Sequence, residues 1–213
     1  MAITRHRITI VGCGPGGLDY MTPAAHTALS QADVLVGATR LLESFPEIPA
    51  KRISVGANVE AALDQMESQR GKRMTVLVTG DPGLCSLAKP VVARFGRAAC
   101  RIIPGISSIQ TAFARAGTDW LDARIINAHG GNPPVPAASL AGIPKLAVLA
   151  GHPKCRRWLN EVAAVLGNRY RIVVCENLTL PDERVRPVSP ATLKTFKMPS
   201  RCIILWIGKE ELT

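Results

Sequence analysis

The sequence is poor in aromatic residues, which make up 4% of its 213 residues, and none of its apolar runs approaches the length of a membrane span, roughly 20 residues. Its start, Met-Ala-Ile-Thr-Arg-His-Arg, leads directly into a strand pattern and lacks the apolar core of a signal peptide. The six cysteines form no C-x-x-C pair, which argues against a zinc site and a disulfide framework. These absences predict a reduced, cytoplasmic protein without membrane segments.

The basic residues outnumber the acidic ones, giving a formal net charge of +10 at pH 7. They are dispersed in pairs such as Arg156/Arg157 and Arg184/Arg186, with no long basic run and no interleaved aromatic residues on which bases could stack. We therefore do not expect a nucleic-acid partner. The charge suits either a small polyanionic substrate or a general solubility bias, and the sequence leaves both open.

A glycine-rich loop follows the first predicted strand. The β-branched run Ile8–Val11 is typical of a buried strand in a parallel sheet. Gly12-Cys-Gly-Pro-Gly-Gly17 follows it, and glycine lets the backbone approach a ligand closely because it has no Cβ. A strand, a glycine loop and a helix in this order are typical of a nucleotide-type site at the carboxyl edge of an open sheet.

The same loop satisfies the dinucleotide pattern G-x-G-x-x-G, but its context argues against an NAD-dependent oxidoreductase. That fingerprint needs a helix at the third glycine, whereas the helix signal here starts later, with Thr22 as N-cap and Pro23 as first residue. Pro15 removes an amide donor. The expected ribose-binding acid should end the second strand, but Asp33 begins it.

Strand and helix patterns alternate along the chain. The predicted strands are 8–11, 33–37, 74–78, 100–103, 124–128, 146–150, 171–175 and 202–207, and the predicted helices are one capped by Thr22, 58–70, 86–95, one ending at Gly117, and 153–166. This order predicts an α/β fold of two α/β/α domains, at 1–118 and 119–213, the first with a mostly parallel sheet and the second with a smaller mixed sheet.

Three strand ends in the first half carry turns of small residues. The turns are Gly12–Gly17, Gly80–Gly83 and Pro104–Ser108. Parallel strands place their carboxyl ends on one edge of the sheet, where ligands bind in open α/β folds. We therefore expect the three turns to form one ligand site.

These turns resemble the motifs of the tetrapyrrole methylases, S-adenosylmethionine enzymes that methylate the macrocycle in sirohaem and cobalamin synthesis. The matching motifs are Gly12-Cys-Gly-Pro-Gly16 with Met21-Thr22, Gly80-Asp81-Pro82, and Pro104-Gly-Ile-Ser-Ser108. The similarity extends over essentially the whole chain. Segments 33–42 and 176–183 resemble most the members that methylate C5 of the corrin precursor. The sequence Ala150-Gly-His-Pro153 departs from the family pattern.

The resemblance implies that S-adenosylmethionine binds in a cleft between the two domains and leaves as S-adenosylhomocysteine. The implied cofactor-binding residues are Pro15, Thr79, Gly80, Asp81, Leu84, Ser107, Ser108, Leu149 and Ala150. The implied substrate is an anionic tetrapyrrole. Asp81 and His129 are the candidates for accepting a proton or orienting the substrate, and no metal is expected. The resemblance also implies a homodimer, and a separate protein for methylation at C15 because this chain ends at Thr213.

Several alternatives stay open at this point. The substrate could be methylated at another ring position, or the chain could act in diphthine synthesis on a protein. Asp81 before Pro82 is also an ordinary turn residue, and His129 could be structural. For Glu176 we expect a structural ion pair with Arg171 or Arg184.

Overall fold

The computed structural model describes residues 7–212; segment 1–6, interpreted above as lacking a signal peptide, lies outside them. The chain divides into two compact units, one up to Ser107 and one from Ser108. The sequence analysis set the domain boundary after residue 118. The compact units divide earlier because the helix Ser108–Ala116 packs against the strand Cys202–Gly208, which belongs to the second unit.

The first unit is built on a parallel sheet of five strands among the described residues, in the order β3-β2-β4-β1-β5. Its strands are β1 (Ile8–Gly12), β2 (Val34–Gly37), β3 (Lys51–Ser54), β4 (Met74–Val78) and β5 (Cys100–Ile103), and its helices are α1 (Pro23–Ser30), α2 (Thr39–Glu43), α3 (Val59–Glu67) and α4 (Ala88–Phe95). Because every strand pair is parallel, all five carboxyl ends lie on one edge.

Local capping signals fix where two of these helices begin. The Thr22 hydroxyl accepts a hydrogen bond from the Ala25 amide at 3.2 Å, and Pro23 occupies the first position of α1. The Asn58 side chain likewise accepts from the Ala61 amide at 3.1 Å ahead of α3. Both predicted N-caps are confirmed. α3 ends at Glu67, three residues before the predicted end.

The second unit contains a mixed sheet, in the order β6-β7-β10-β8-β9, in which only β6 and β7 pair in parallel. Its strands are β6 (Ala123–Asn127), β7 (Lys145–Leu149), β8 (Tyr170–Glu176), β9 (Arg184–Val188) and β10 (Cys202–Gly208), and its helices are α5 (Ser108–Ala116), α6 (Arg156–Leu166) and α7 (Pro190–Thr195). Trp206 of β10 is fully buried in the core under α6. Within residues 7–212, no helix combines the length and apolar character that crossing a membrane requires.

The mixed sheet has as many strands as the parallel one, so the expected difference in sheet size is absent. Each sheet contains one edge strand that the sequence analysis did not assign, β3 in the first unit and β9 in the second. β9 is short, mostly exposed and contains Pro187, so it carries little of the hydrophobic alternation that marks a strand. The helices α2 and α7 were missed as well. The structure thus confirms the predicted fold class and adds short, exposed elements to it.

The cysteines differ sharply in exposure. Cys85 is exposed and the other five are buried, all within the described residues. Burial raises the pKa of the Cys13 and Cys175 thiols to about 12 and raises that of Cys202 as well. Because thiolates are the reactive species, we expect Ellman's reagent to modify one thiol rapidly in the native protein and the remainder only on unfolding. A Cys85→Ser variant should lose the rapid phase; more than one rapid thiol in the unmodified chain would contradict this.

Candidate functional site

The carboxyl edge of the first unit brings together the three predicted turns. A Cβ built on Gly12 would lie 2.5 Å from the Gly80 carbonyl oxygen and 2.6 Å from the Gly105 Cα. The Gly80 amide donates to the Gly14 carbonyl at 2.7 Å. The turns that follow β1, β4 and β5 therefore lie directly against one another, which confirms the prediction that they share one edge. Side chains at Gly12 and Gly105 would prevent this approach.

Asp81 links two of these turns. Its Oδ1 accepts a hydrogen bond from the Gly83 amide at 2.7 Å, and its Oδ2 accepts one from the Gly105 amide at 3.0 Å. The first bond is the local turn that an aspartate before proline favours. The second bond joins the β4 turn to the β5 turn. Asp81 is thus a brace within the site, and its predicted role as a proton acceptor stays a prediction.

Thr79 comes directly after β4 and is half-buried. Its hydroxyl accepts a hydrogen bond from Nη2 of Arg40 at 2.6 Å. Arg40 lies on α2, which begins at the carboxyl end of β2, the neighbour of β4 in the sheet. Sequence reasoning did not single out Arg40, because nothing in its spacing shows that β2 and β4 are adjacent.

The other predicted cofactor residues of this unit lie in the same turns. Pro15 and Ser107 are buried, and Leu84 is half-buried, with its amide donating to the Asp81 carbonyl at 3.1 Å. Ser107 is the last residue of the first unit. The edge thus combines hydroxyl groups and backbone polar groups with apolar surface from Leu84.

In the second unit the structure brings together His129, Leu149 and Ala150. The Ala128 amide donates to the Leu149 carbonyl at 2.9 Å, and Nδ1 of His129 lies 3.0 Å from the Ala150 carbonyl oxygen. Because a carbonyl oxygen can only accept, this contact requires the proton on Nδ1. Nε2 of the neutral ring is then a proton acceptor, as the prediction for His129 requires. Ser108, also predicted to bind cofactor, is the first residue of α5.

A family model described as Tetrapyrrole (Corrin/Porphyrin) Methylases matches residues 7–194 of the chain. The chain belongs to the tetrapyrrole methylases. A curated relative from Salmonella typhimurium, named cobalt-precorrin-7 C(5)-methyltransferase, is 37% identical over 185 residues, which cover 85% of this chain and 91% of the relative.

Solved structures of other tetrapyrrole methylases share this fold. The precorrin-6Y methylase of Archaeoglobus fulgidus is 25% identical and superposes with a TM-score of 0.74 over 96% of this chain and 99% of its own. The uroporphyrin-III C-methyltransferase of Thermus thermophilus, solved with S-adenosylhomocysteine, is 21% identical with a TM-score of 0.74 over 94% and 92% of the two chains. These structures confirm the predicted fold.

The features that a dinucleotide enzyme needs are absent from the first turn of this tetrapyrrole methylase, within the residues described. After Gly17 the chain forms only a 3-10 turn, Leu18–Tyr20, before α1 begins at Pro23. Asp33 lies before β2, at the opposite end of the strand from the site, and its carboxylate binds Arg73 at 2.8 Å. This partner lowers the pKa of Asp33 to about 2. Both observations agree with the rejection of the dinucleotide interpretation.

The partner expected for Glu176 was wrong. Its carboxylate is buried at the end of β8 and pairs with Arg186 at 2.6 Å, not with Arg171 or Arg184. Arg184 is directly opposite Glu176 in the β8–β9 pairing, and Arg186 is the diagonal neighbour on the same face. The Arg186 guanidinium also lies 5.3 Å from the centre of the Phe196 ring. The structural role expected for Glu176 holds, with a different arginine.

Proposed function

We propose that this chain transfers a methyl group from S-adenosylmethionine to C5 of a corrin-ring precursor, at the level of precorrin-7 or cobalt-precorrin-7, in cobalamin biosynthesis. The observation that carries the proposal is the 37% identity to the Salmonella protein of that name over nearly its whole length. A probable cobalt-precorrin-7 C(5)-methyltransferase of Methanocaldococcus jannaschii, 37% identical over 128 residues, supports the same position.

The turns of the first unit suit the cofactor. S-adenosylmethionine carries hydroxyl, amino and carboxylate groups beside an apolar ring, and this edge offers hydroxyls, backbone polar groups and the Leu84 side chain. We propose that the cofactor is bound by Pro15, Thr79, Gly80, Asp81, Leu84 and Ser107 of the first unit and by Ser108, Leu149 and Ala150 of the second. When bound, S-adenosylmethionine supplies a methyl group on a positively charged sulfur. The contribution of the protein is then mainly alignment of the reacting groups.

Methylation of a ring carbon is completed when a proton leaves the substrate, and we propose His129 as the residue that accepts or directs it. With its Nδ1–H directed at the Ala150 carbonyl, the ring is oriented and Nε2 is the basic atom. Asp81 is the weaker candidate, since both of its oxygens already accept backbone amides. Its bracing role is sufficient to make it important for alignment.

We further propose that methylation at C15 is carried out by a separate protein. A Sinorhizobium protein named precorrin-6Y C(5,15)-methyltransferase is matched over 32% of its length, whereas the Salmonella protein named for C5 alone is matched over 91%. The relative that is matched over nearly its whole length is thus named for C5 alone. A homodimer acting in the cytoplasm completes the proposal.

The deciding experiment is incubation with methyl-labelled S-adenosylmethionine and either precorrin-7 or cobalt-precorrin-7, followed by location of the label by NMR. We expect label at C5, and comparison of the two substrates shows whether cobalt is required. A His129→Asn variant, which keeps an Nδ2–H donor for the Ala150 carbonyl, should bind both ligands but turn over slowly. Label at another carbon would show that a different ring position is methylated. Absence of methyl transfer to both substrates would refute the proposal.

A further inference from the structure

His152 is a second histidine at the edge of the second sheet that carries His129. β6 and β7 pair in parallel, so their carboxyl ends lie together, and the segments that follow these strands contact each other at two points. One is the contact between His129 and the Ala150 carbonyl. At the other, a Cβ built on Gly131 would lie 3.6 Å from the Lys154 Cβ. His152 lies between Ala150 and Lys154 in the sequence, and therefore beside the turn that follows β6.

The backbone of His152 is held on both sides. The preceding Gly151 has a φ of +106°, and a Cβ at this position would collide with the Ser200 carbonyl oxygen, so the turn requires glycine. On the other side, the His152 carbonyl accepts hydrogen bonds from the Cys155 amide at 3.2 Å and from the Cys155 thiol at 3.0 Å. The residue after His152 is a proline, whose ring restricts the chain further. The position of His152 is therefore set by the fold.

The His152 ring is oriented by one hydrogen bond. Its Nδ1 accepts from the Lys154 amide at 3.1 Å. Because a nitrogen that accepts an N–H cannot itself carry a proton, the neutral ring holds its proton on Nε2. The two ring nitrogens point away from each other, so the Nε2–H is directed away from the Lys154 amide. His129 has the opposite arrangement, with its proton on Nδ1. This edge thus offers one imidazole acceptor and one imidazole donor.

The Nε2–H of His152 is an available donor. Among residues 7–212, no group of the protein accepts from it, and the His152 ring is half-buried. The two turns, 128–133 and 150–155, contain the basic residue Lys154 and no acidic residue. An unused donor in such surroundings favours a negatively charged acceptor, because charge-assisted hydrogen bonds are stronger than neutral ones. A ligand carboxylate meets this requirement.

We propose that His152 is a specificity-determining residue that donates its Nε2–H to a carboxylate of the tetrapyrrole substrate. The inference rests on the proposed function, because it takes an anionic macrocycle as the ligand and His129 as the neighbouring proton acceptor. His152 belongs to the segment Ala150-Gly-His-Pro153, in which the sequence departs from the family pattern, so the resemblance assigns it no role. The bound carboxylate fixes the macrocycle at the edge of the second sheet, beside His129.

The test is equilibrium binding of uroporphyrin III, a stable tetrapyrrole with free carboxylates, followed by fluorescence. His152→Asn separates the donor from the cap, because asparagine can still accept from the Lys154 amide but has no group at the position of Nε2. We expect His152→Asn and His152→Ala to weaken binding by similar factors, roughly 10- to 100-fold, as for loss of a hydrogen bond to a charged group. Only the alanine variant should also unfold at a lower temperature, because it alone loses the cap.

Ser189→Ala is the matched control for loss of a cap. The Ser189 hydroxyl accepts from the Thr192 amide at 3.1 Å at the start of α7. Ser189 follows β9, whose last residue, Val188, pairs with Ile172 near the start of β8, so it lies at the opposite edge of the sheet from His129 and His152. This variant should be less stable and bind uroporphyrin with unchanged affinity.

S-adenosylhomocysteine also has a carboxylate, so its affinity is measured on the same His152 variants and should change far less than that of uroporphyrin. Equal losses of affinity for the two ligands would assign the donor to the cofactor and overturn the inference. Native uroporphyrin affinity in His152→Asn would show that the ring serves only as a cap, and absence of uroporphyrin binding to the unmodified chain would also refute the assignment. The proposed function is judged separately, by methyl transfer to C5, so that either can fail alone.

Discussion

Asp81→Ala is expected to lower the methyl-transfer rate about 100-fold, the scale of loss that follows when reacting groups are displaced by about 1 Å. The carboxylate joins the Gly83 and Gly105 amides, at 2.7 and 3.0 Å, and so holds the β4 and β5 turns in register. Alanine removes both acceptors and leaves two amides of the site without them. Both sheets should still form, because their cores contain none of these atoms. The measurement is the single-turnover rate at saturating ligands, with circular dichroism as the check on folding.

Asp81→Asn distinguishes a brace from a proton acceptor. An asparagine has one carbonyl oxygen and can replace one of the two bonds, so a brace predicts a rate between those of the native and alanine proteins with an unchanged pH profile. A proton acceptor predicts that asparagine is as inactive as alanine and that a limb of the pH–rate profile disappears. An alanine variant with the native rate would remove Asp81 from the mechanism altogether.

The parts of the fold that the sequence predicts well are those with local signals. The run Ile8–Val11 forms a mostly buried interior strand of the sheet, and the Thr22 and Asn58 caps begin helices as predicted. Each signal depends only on residues within a few positions of each other. The shared edge of the three turns also follows, because parallel pairing is implied by the alternation of strands and helices.

The missed elements are short and lie at sheet edges or between strands. Three of the four residues of β3 are exposed, so β3 shows no continuous apolar run. α7 did carry a readable signal: Ser189 accepts from the Thr192 amide and Pro190 occupies the first position. This is the same Ser/Thr-Pro pattern that predicted α1, but it precedes only six residues. α7 was therefore missed because it is short, although its N-cap signal is present in the sequence.

The site residues also differ in whether a local sequence signal reveals them. The glycine turns were found from their motifs, whereas the contacts of Arg40 and Glu176 depend on which strands are neighbours. Arg40 meets Thr79 only because β2 is next to β4, and Glu176 meets Arg186 only because β9 pairs with β8. Sequence separation of 39 residues in the first case leaves no local trace of the contact. Sheet order is therefore the information that the sequence analysis lacked.

Gly105→Ala is expected to disrupt the packing of this edge strongly. The new Cβ would lie 2.5 Å from the Gly80 carbonyl oxygen and 2.7 Å from the Gly12 Cα. Both neighbours are backbone atoms of strand ends, so neither can rotate away as a side chain would. The β1, β4 and β5 turns must separate, which should lower the free energy of unfolding by about 1–3 kcal/mol or more. The affinity for S-adenosylhomocysteine, measured by calorimetry, should fall together with the free energy of unfolding.

Gly56→Ala is the matched control, because a Cβ at Gly56 would meet no atom within 4 Å. The same added methyl group should there leave stability and affinity unchanged or stabilise the protein slightly by restricting the unfolded chain. A destabilised Gly105→Ala protein that still binds S-adenosylhomocysteine with native affinity would separate the packing of the turns from ligand binding. In that outcome the glycines serve only to bring the strand ends together, and the groups that hold the cofactor do not depend on this packing.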